Sequence, residues 1–157
     1  MGIVDADSAE HGRASQNLVI APVSCAMPDR RPGAPKLSGS ARVRIQAGTR
    51  LAAIYGATDC EEEYFCNYEV NPAYVRQFEA AGLRLSAFDE NGELRAVELP
   101  DHVFFIATLF QPHLSSAEGS PHPLIVAYLA VSGRRRRPPG LIKSRAWIFR
   151  YMQEPRS

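Results

Sequence analysis

The stretch from residue 83 to 99, LRLSAFDENGELRAVEL, limits the folds open to this chain more than any other. Asn91-Gly92 lies between two apolar runs, and both residue types tolerate the positive φ that tight hairpin turns demand. The pattern predicts a hairpin of Leu83–Phe88 and Glu93–Leu99 about a turn at Asp89-Glu90-Asn91-Gly92. Short elements of both kinds surround it. Asn17–Ser24 reads as a buried strand, Ala41–Gln46 alternates with the period of a half-buried one, and Phe104–Phe110 is a second buried run. Cys60–Val70 reads as a strand stopped by Asn71-Pro72. Asn71 then suits a helix N-cap with Pro72 in the first turn, and Tyr74, Val75, Phe78 and Leu83 follow at helical spacing up to Gly82. Thr49–Tyr55 fits one or two helical turns and Pro123–Ser132 a short apolar helix. Pro28–Ser40, with three prolines and two glycines, is a loop, and residues 1–16 start without an obvious element. Strands alternating with helices predict an α/β layered domain. The pattern alone leaves the topology open, and no internal repeat is visible.

With 157 residues, 45% of them apolar and 22% charged, the chain suits one soluble domain with a proper core. No apolar stretch approaches the roughly 18 residues needed to span a bilayer. Met1–Glu10 holds three acids and no apolar block, so a signal peptide is not expected. Three cysteines without a CxxC pair fit a reducing cytoplasm. The net charge of +1 conceals an asymmetry: residues 1–132 carry ten basic and sixteen acidic side chains, net −6, and residues 133–157 eight basic and one acidic, net +7. Such a sign change marks an appended segment, so the expected organisation is a domain over 1–132 and a basic, flexible tail over 133–157.

Several motifs then stand in a fixed order. They are Asp5-Ala6-Asp7-Ser8-Ala9-Glu10, Gly48-Thr49-Arg50-Leu51 through Tyr55-Gly56, Tyr68-Glu69-Val70-Asn71, Ala81-Gly82-Leu83, Pro100-Asp101-His102 through Gln111-Pro112-His113, and Pro121-His122-Pro123-Leu124. In that order they resemble segments of the glutamine amidotransferase domain of CTP synthase, over about residues 5 to 130. The fold the resemblance implies is the C-terminal part of a class I amidotransferase domain, a flavodoxin-like open sheet with its site at the C-terminal ends of strands. The chemistry it implies is attack of a Cys thiolate, held on a G-x-C-x-G elbow, on the glutamine carboxamide, with a His as base and a Glu to orient it. The family reaction makes CTP from UTP, ATP and glutamine.

Carried over residue by residue, Glu10 takes the place of a glutamate that contacts glutamine. Asn67 replaces an arginine that holds the glutamine carboxylate. Gln111 replaces the catalytic His, and His113 the orienting Glu, so no catalytic residue is assigned at these two degenerate positions. The elbow is expected to lie upstream of Met1. The domain should therefore expose apolar surface, and the expected partners are a synthase subunit or a second copy, with glutamine or a related small molecule as ligand. The leading expectation is an amidotransferase fragment without glutaminase activity of its own. The alternatives are a ligand- or subunit-binding pseudoenzyme, and a misplaced start codon.

The remaining candidates read more plainly. Cys25, Cys60 and Cys66 lack glycine flanks at elbow spacing, and the acids beside Cys60 disfavour its thiolate. His102 and His122 read as turn or packing residues. With no metal-ligand spacing among the cysteines and histidines, neither a metal nor a cofactor is expected. Glu61-Glu62-Glu63 reads as a solvated strand edge. The tail, with Arg134–Arg137 and the aromatic stretch around Trp147, offers nucleic acid or an anionic surface the sole foothold on this chain.

Overall fold

The computed structural model describes residues 2–11 and 15–134. In chain order the elements are β1 (Asp7–Ser8), β2 (Leu18–Pro22), β3 (Leu37–Ile45), α1 (Arg50–Tyr55), β4 (Asp59–Cys66), β5 (Tyr68–Val70), α2 (Val75–Ala80), β6 (Arg84–Phe88), β7 (Leu94–Glu98), β8 (Ile106–Thr108) and α3 (Pro123–Arg134). Single 3-10 turns cover Ala9–His11 and Pro72–Tyr74. Of the expected basic tail over 133–157, residues 133 and 134 end α3 and the rest lies outside the described residues.

The strands form two sheets, ordered β4-β3-β6-β7-β8 and β1-β2-β5. The larger sheet is antiparallel throughout, and among the described strands only β1 and β2 pair in parallel. The fold is mixed α/β, as expected, with an open sheet. The predicted hairpin is its centre. The Asp89 carboxylate accepts the N–H groups of Asn91 and Glu93, each at 2.9 Å, and Gly92 adopts φ 83°, so the turn is fixed by the residues that predicted it.

Several elements differ from their expected extent, and the expected buried strand Asn17–Ser24 is Leu18–Pro22, partly buried with Pro22 exposed. β3 begins at Leu37, inside the expected loop, because Leu37 is buried and pairs with Cys66 on the long neighbouring strand. Cys60–Val70 is two strands in different sheets. At the break, the Asn67 side-chain oxygen accepts the Lys36 N–H at 2.9 Å and its carbonyl accepts the Val23 N–H at 2.9 Å, so the residue that crosses between sheets keeps its polar groups satisfied. β8 covers only Ile106–Thr108, the three residues that pair with Ala96–Glu98.

The core gathers Val23, Val43, Leu51, Ala87, Ala96, Phe110 and Leu124 around α1. That six-residue helix is too short to persist alone and is fixed at both ends. Thr49 caps it by accepting the Ala52 N–H at 3.0 Å, and Gly56 ends it at φ 67°. The buried Glu98 carboxylate accepts the free N–H groups of Arg50 at 3.0 Å and Leu51 at 3.1 Å.

One buried cation joins the two sheets. Arg95 on β7 is 4% exposed and meets Glu69 on β5 at 3.1 Å, Asp89 at 2.7 Å and Glu93. Glu69 in turn accepts the Ser24 N–H at 2.9 Å. Burial works to raise the Asp89 pKa, but the Glu93 N–H, Arg95 and the Asn91 N–H together hold it below its ordinary value. Glu93 is pushed up, first by burial and then by the charge of Glu69.

The two carboxylates therefore act in opposite directions. The depressed Asp89 contributes stability in full above an unfolded pKa of about 4, and that contribution is lost as pH falls through the lower folded value. Glu93, harder to ionise in the fold than out of it, costs stability at neutral pH. Urea unfolding at pH 7 should show Asp89→Asn destabilised by about 1 kcal/mol, discounted for partial solvation. Glu93→Gln should be unchanged or more stable. At pH 3 the Asp89→Asn deficit should shrink; equal losses for both variants at pH 7 would contradict this assignment.

Candidate functional site

Two of the residues expected to form the site, Glu10 and Asn67, flank strands of the small sheet. Ser8 lies opposite Ile20, Ile20 opposite Val70, and Pro22 opposite Tyr68. Because β1 and β2 are parallel and β5 runs against them, Glu10 just beyond β1 and Asn67 just before β5 fall at the same end. Glu10 is exposed on the 3-10 turn, its N–H donating to the Ser8 hydroxyl at 3.3 Å. Asn67 is exposed, with its side-chain oxygen already engaged by the Lys36 N–H.

Gln111 reaches the same place from the other sheet. Its backbone N–H donates to the Glu63 carbonyl at 2.9 Å, and its side-chain Nε2 donates to the Phe65 carbonyl at 3.1 Å. The chain after β8 is thus fastened at two points to the edge strand β4, two residues short of Asn67. His113 is exposed within the turn closed by the Leu114 N–H on the Gln111 carbonyl at 2.9 Å. The four positions supply a carboxylate, two amides and an imidazole. Gln111, where the resemblance expects the base, is an amide whose N–H groups are committed to backbone carbonyls.

None of the three thiols offers an activated nucleophile by its surroundings. Cys25 is exposed, and Cys60 and Cys66 are partly buried. Cys60 is pushed up to about 12 by burial, then by Glu62 and Asp59. Among the described residues no group of three or more His, Cys, Asp or Glu side chains is placed to hold a metal ion.

The reading of Glu61-Glu62-Glu63 as a solvated edge needs correction at its middle residue. β4 is the edge strand and Glu61 is exposed, but Glu62 is 2% exposed. Its carboxylate meets His122 Nε2 at 3.0 and 3.1 Å and accepts the Tyr55 hydroxyl. His122 Nδ1 accepts the Leu124 N–H at 3.2 Å, which assigns the ring proton to Nε2, facing Glu62. Tyr55 is pushed well above the usual phenol range, first by burial and then by its bond to Glu62. The overlooked signal was the strand period. Cys60, Glu62 and Tyr64 share one face of an alternating strand, so Tyr64 in the core implies Glu62 facing inward. His122 is a packing residue, as expected. His102 closes a turn, accepting the Phe104 N–H at 3.2 Å.

Thiol labelling checks these environments. Timed alkylation of the native protein at pH 8, read by mass spectrometry of peptides, should modify Cys25 first and Cys60 last, with Cys60 reacting freely only after unfolding. Preferential labelling of Cys60 in the folded protein would show a local activation that its burial and acidic neighbours oppose.

No family model matches the chain. Curated relatives do. A CTP synthase of Brucella anthropi is 32% identical over 146 residues, covering 87% of this chain and 27% of that protein. A CTP synthase of Aeropyrum pernix is 39% identical over 122 residues, covering 73% of this chain and 22% of that protein. The chain therefore spans about a quarter of the length of these relatives. Among solved structures, the glutaminase domain of Trypanosoma brucei CTP synthase with bound acivicin superposes with a TM-score of 0.73 at 26% identity, covering 92% of this chain and 56% of that one. Motif order, fold and relatives agree: the chain is a CTP-synthase-like protein corresponding to the C-terminal part of that enzyme's class I glutamine amidotransferase domain.

Proposed function

We propose that this chain is an amidotransferase piece that keeps a cleft for glutamine or a related small molecule and does not hydrolyse glutamine by itself. The observation that carries this reading is the double attachment of Gln111 to β4, through Glu63 and Phe65. An amide has no useful basicity near pH 7, so Gln111 cannot accept a thiol proton, and here its NH2 group serves to hold the edge strand. Asn67 is neutral and cannot give the bidentate, charge-assisted grip on a carboxylate that an arginine gives, so glutamine is held weakly. Glu10, at the same end of the sheet, remains available to a ligand amine.

The family's synthesis of CTP from UTP, ATP and glutamine belongs, in this proposal, to an assembled enzyme and not to this chain alone. A reducing cytoplasm suits the three free thiols. No described helix is long and apolar enough to cross a membrane.

A coupled ammonia assay on the purified protein with glutamine tests the proposal. No release above background is expected, since Gln111 cannot take the proton of an attacking thiol, and losing the base of such a unit costs on the order of 10⁶ in turnover. Groups that act as a unit are not restored singly, so Gln111→His together with His113→Glu should rescue nothing. Turnover that disappears on changing Cys25, Cys60 or Cys66 to Ser would show a recruited nucleophile and overturn the reading.

A further inference from the structure

The loop before β3 ends in an exposed lysine whose backbone and side chain are both held. The Lys36 N–H donates to the Asn67 side-chain oxygen at 2.9 Å, and the Lys36 carbonyl accepts the Met27 N–H at 2.8 Å. Its ammonium donates to the Val23 carbonyl at 2.7 Å. Val23 directly follows β2, and its own N–H donates to the Asn67 carbonyl at 2.9 Å. Lys36, Val23 and Asn67 therefore close a ring of hydrogen bonds where β2 stops and β5 begins.

The ring leaves a charge unanswered. Among the described residues no carboxylate stands within ion-pair distance of the Lys36 ammonium. Glu69, two residues beyond Asn67, is engaged by Arg95 and by the Ser24 N–H. The Val23 carbonyl takes one of the three ammonium N–H groups and leaves the others free to donate. Fixing so flexible a side chain costs rotamer entropy, and a cation ordered in advance lowers what an incoming anion has to order on binding.

We infer that Lys36 receives the carboxylate of the ligand and that Asn67 is its positioning residue, an inference that rests on the reading of this site as one for glutamine or a related small molecule. Asn67 carries no charge, but its side chain holds the backbone of the residue that does. An ammonium is a compact point charge and grips without the two parallel bonds of a guanidinium fork, so the hold is a modest one. Glu10, exposed just beyond β1, offers the opposite charge at the same end of the small sheet. The ligand class these charges suit is an α-amino acid, with its amine and carboxylate on one carbon.

NMR titration of the purified full chain with glutamine and with glutamine α-amide, which lacks the carboxylate, tests the assignment. The wild type should bind glutamine about tenfold more tightly than the amide, the effect of one charge-assisted hydrogen bond. Lys36→Met keeps the aliphatic stem and removes the charge; it should weaken glutamine alone and bring the two affinities together. Lys36→Arg should keep the preference. A substitution that only loosened the loop would weaken both ligands equally and preserve their ratio, and that result would overturn the inference. A wild type that binds both ligands equally would also overturn it, with the glutamine reading intact. Binding of neither ligand by the wild type would overturn the inference together with the reading on which it rests.

Discussion

The ion cluster around Arg95 is the constraint on which the rest of the molecule depends. A small three-stranded sheet and a larger five-stranded one have to be held in a fixed relation, and the first is too short to fold alone. Arg95, on the inner strand of the hairpin, spans the gap to Glu69 on β5 and also closes its own turn through Asp89 and Glu93. A guanidinium suits this task because its fork of donors reaches several carboxylates at once and cannot be deprotonated. Around this one cation, burial and then the charge of Glu69 push Glu93 up, whereas the Glu93 N–H, Arg95 and the Asn91 N–H hold Asp89 down against its own burial.

That fixed relation also places the segments that carry the family's motif positions. Glu10 and Asn67 belong to the small sheet, whereas Gln111 arrives on the chain leaving β8 of the large one. Their placement relative to one another depends on the sheets keeping that relation. The edge strand β4 connects the two groups, since its residues Glu63 and Phe65 hold Gln111 and its end leads through Asn67 into β5. Below it, Glu62 is fixed by His122 and Tyr55. The polar network thus fastens the strand from one face while Gln111 fastens its edge. Gln111 is thus part of the scaffold.

Much of this was legible in the sequence, and the failures have a common physical origin. The hairpin, the Asn71-Pro72 start and the Gly82 stop are local signals, decided by the backbone preferences of one or two residues. The motif order pointed to the glutamine amidotransferase domain of CTP synthase without geometry. Arg95, Glu62, Glu69 and Glu98 were the hidden part. Each is a charged residue of a type that is normally solvated, and each is buried because a partner distant in sequence neutralises it or uses it to cap a helix. The split of Cys60–Val70 into two sheets was hidden for the same reason, because Asn67 crosses between sheets on hydrogen bonds from Val23 and Lys36.

The central claim is that Arg95 holds the two sheets together, and unfolding of an Arg95→Met variant tests it most directly. The substitution preserves much of the side-chain volume and leaves Glu69 and Asp89 without their cation. Breaking a buried pair in this way costs about 3–5 kcal/mol, a large share of the stability of a domain this size. The account predicts a loss of that size in urea unfolding at pH 7, partly recovered when Glu69→Gln is added. An Arg95→Met protein with an unchanged midpoint would show that apolar packing alone fixes the sheets, and would contradict the account.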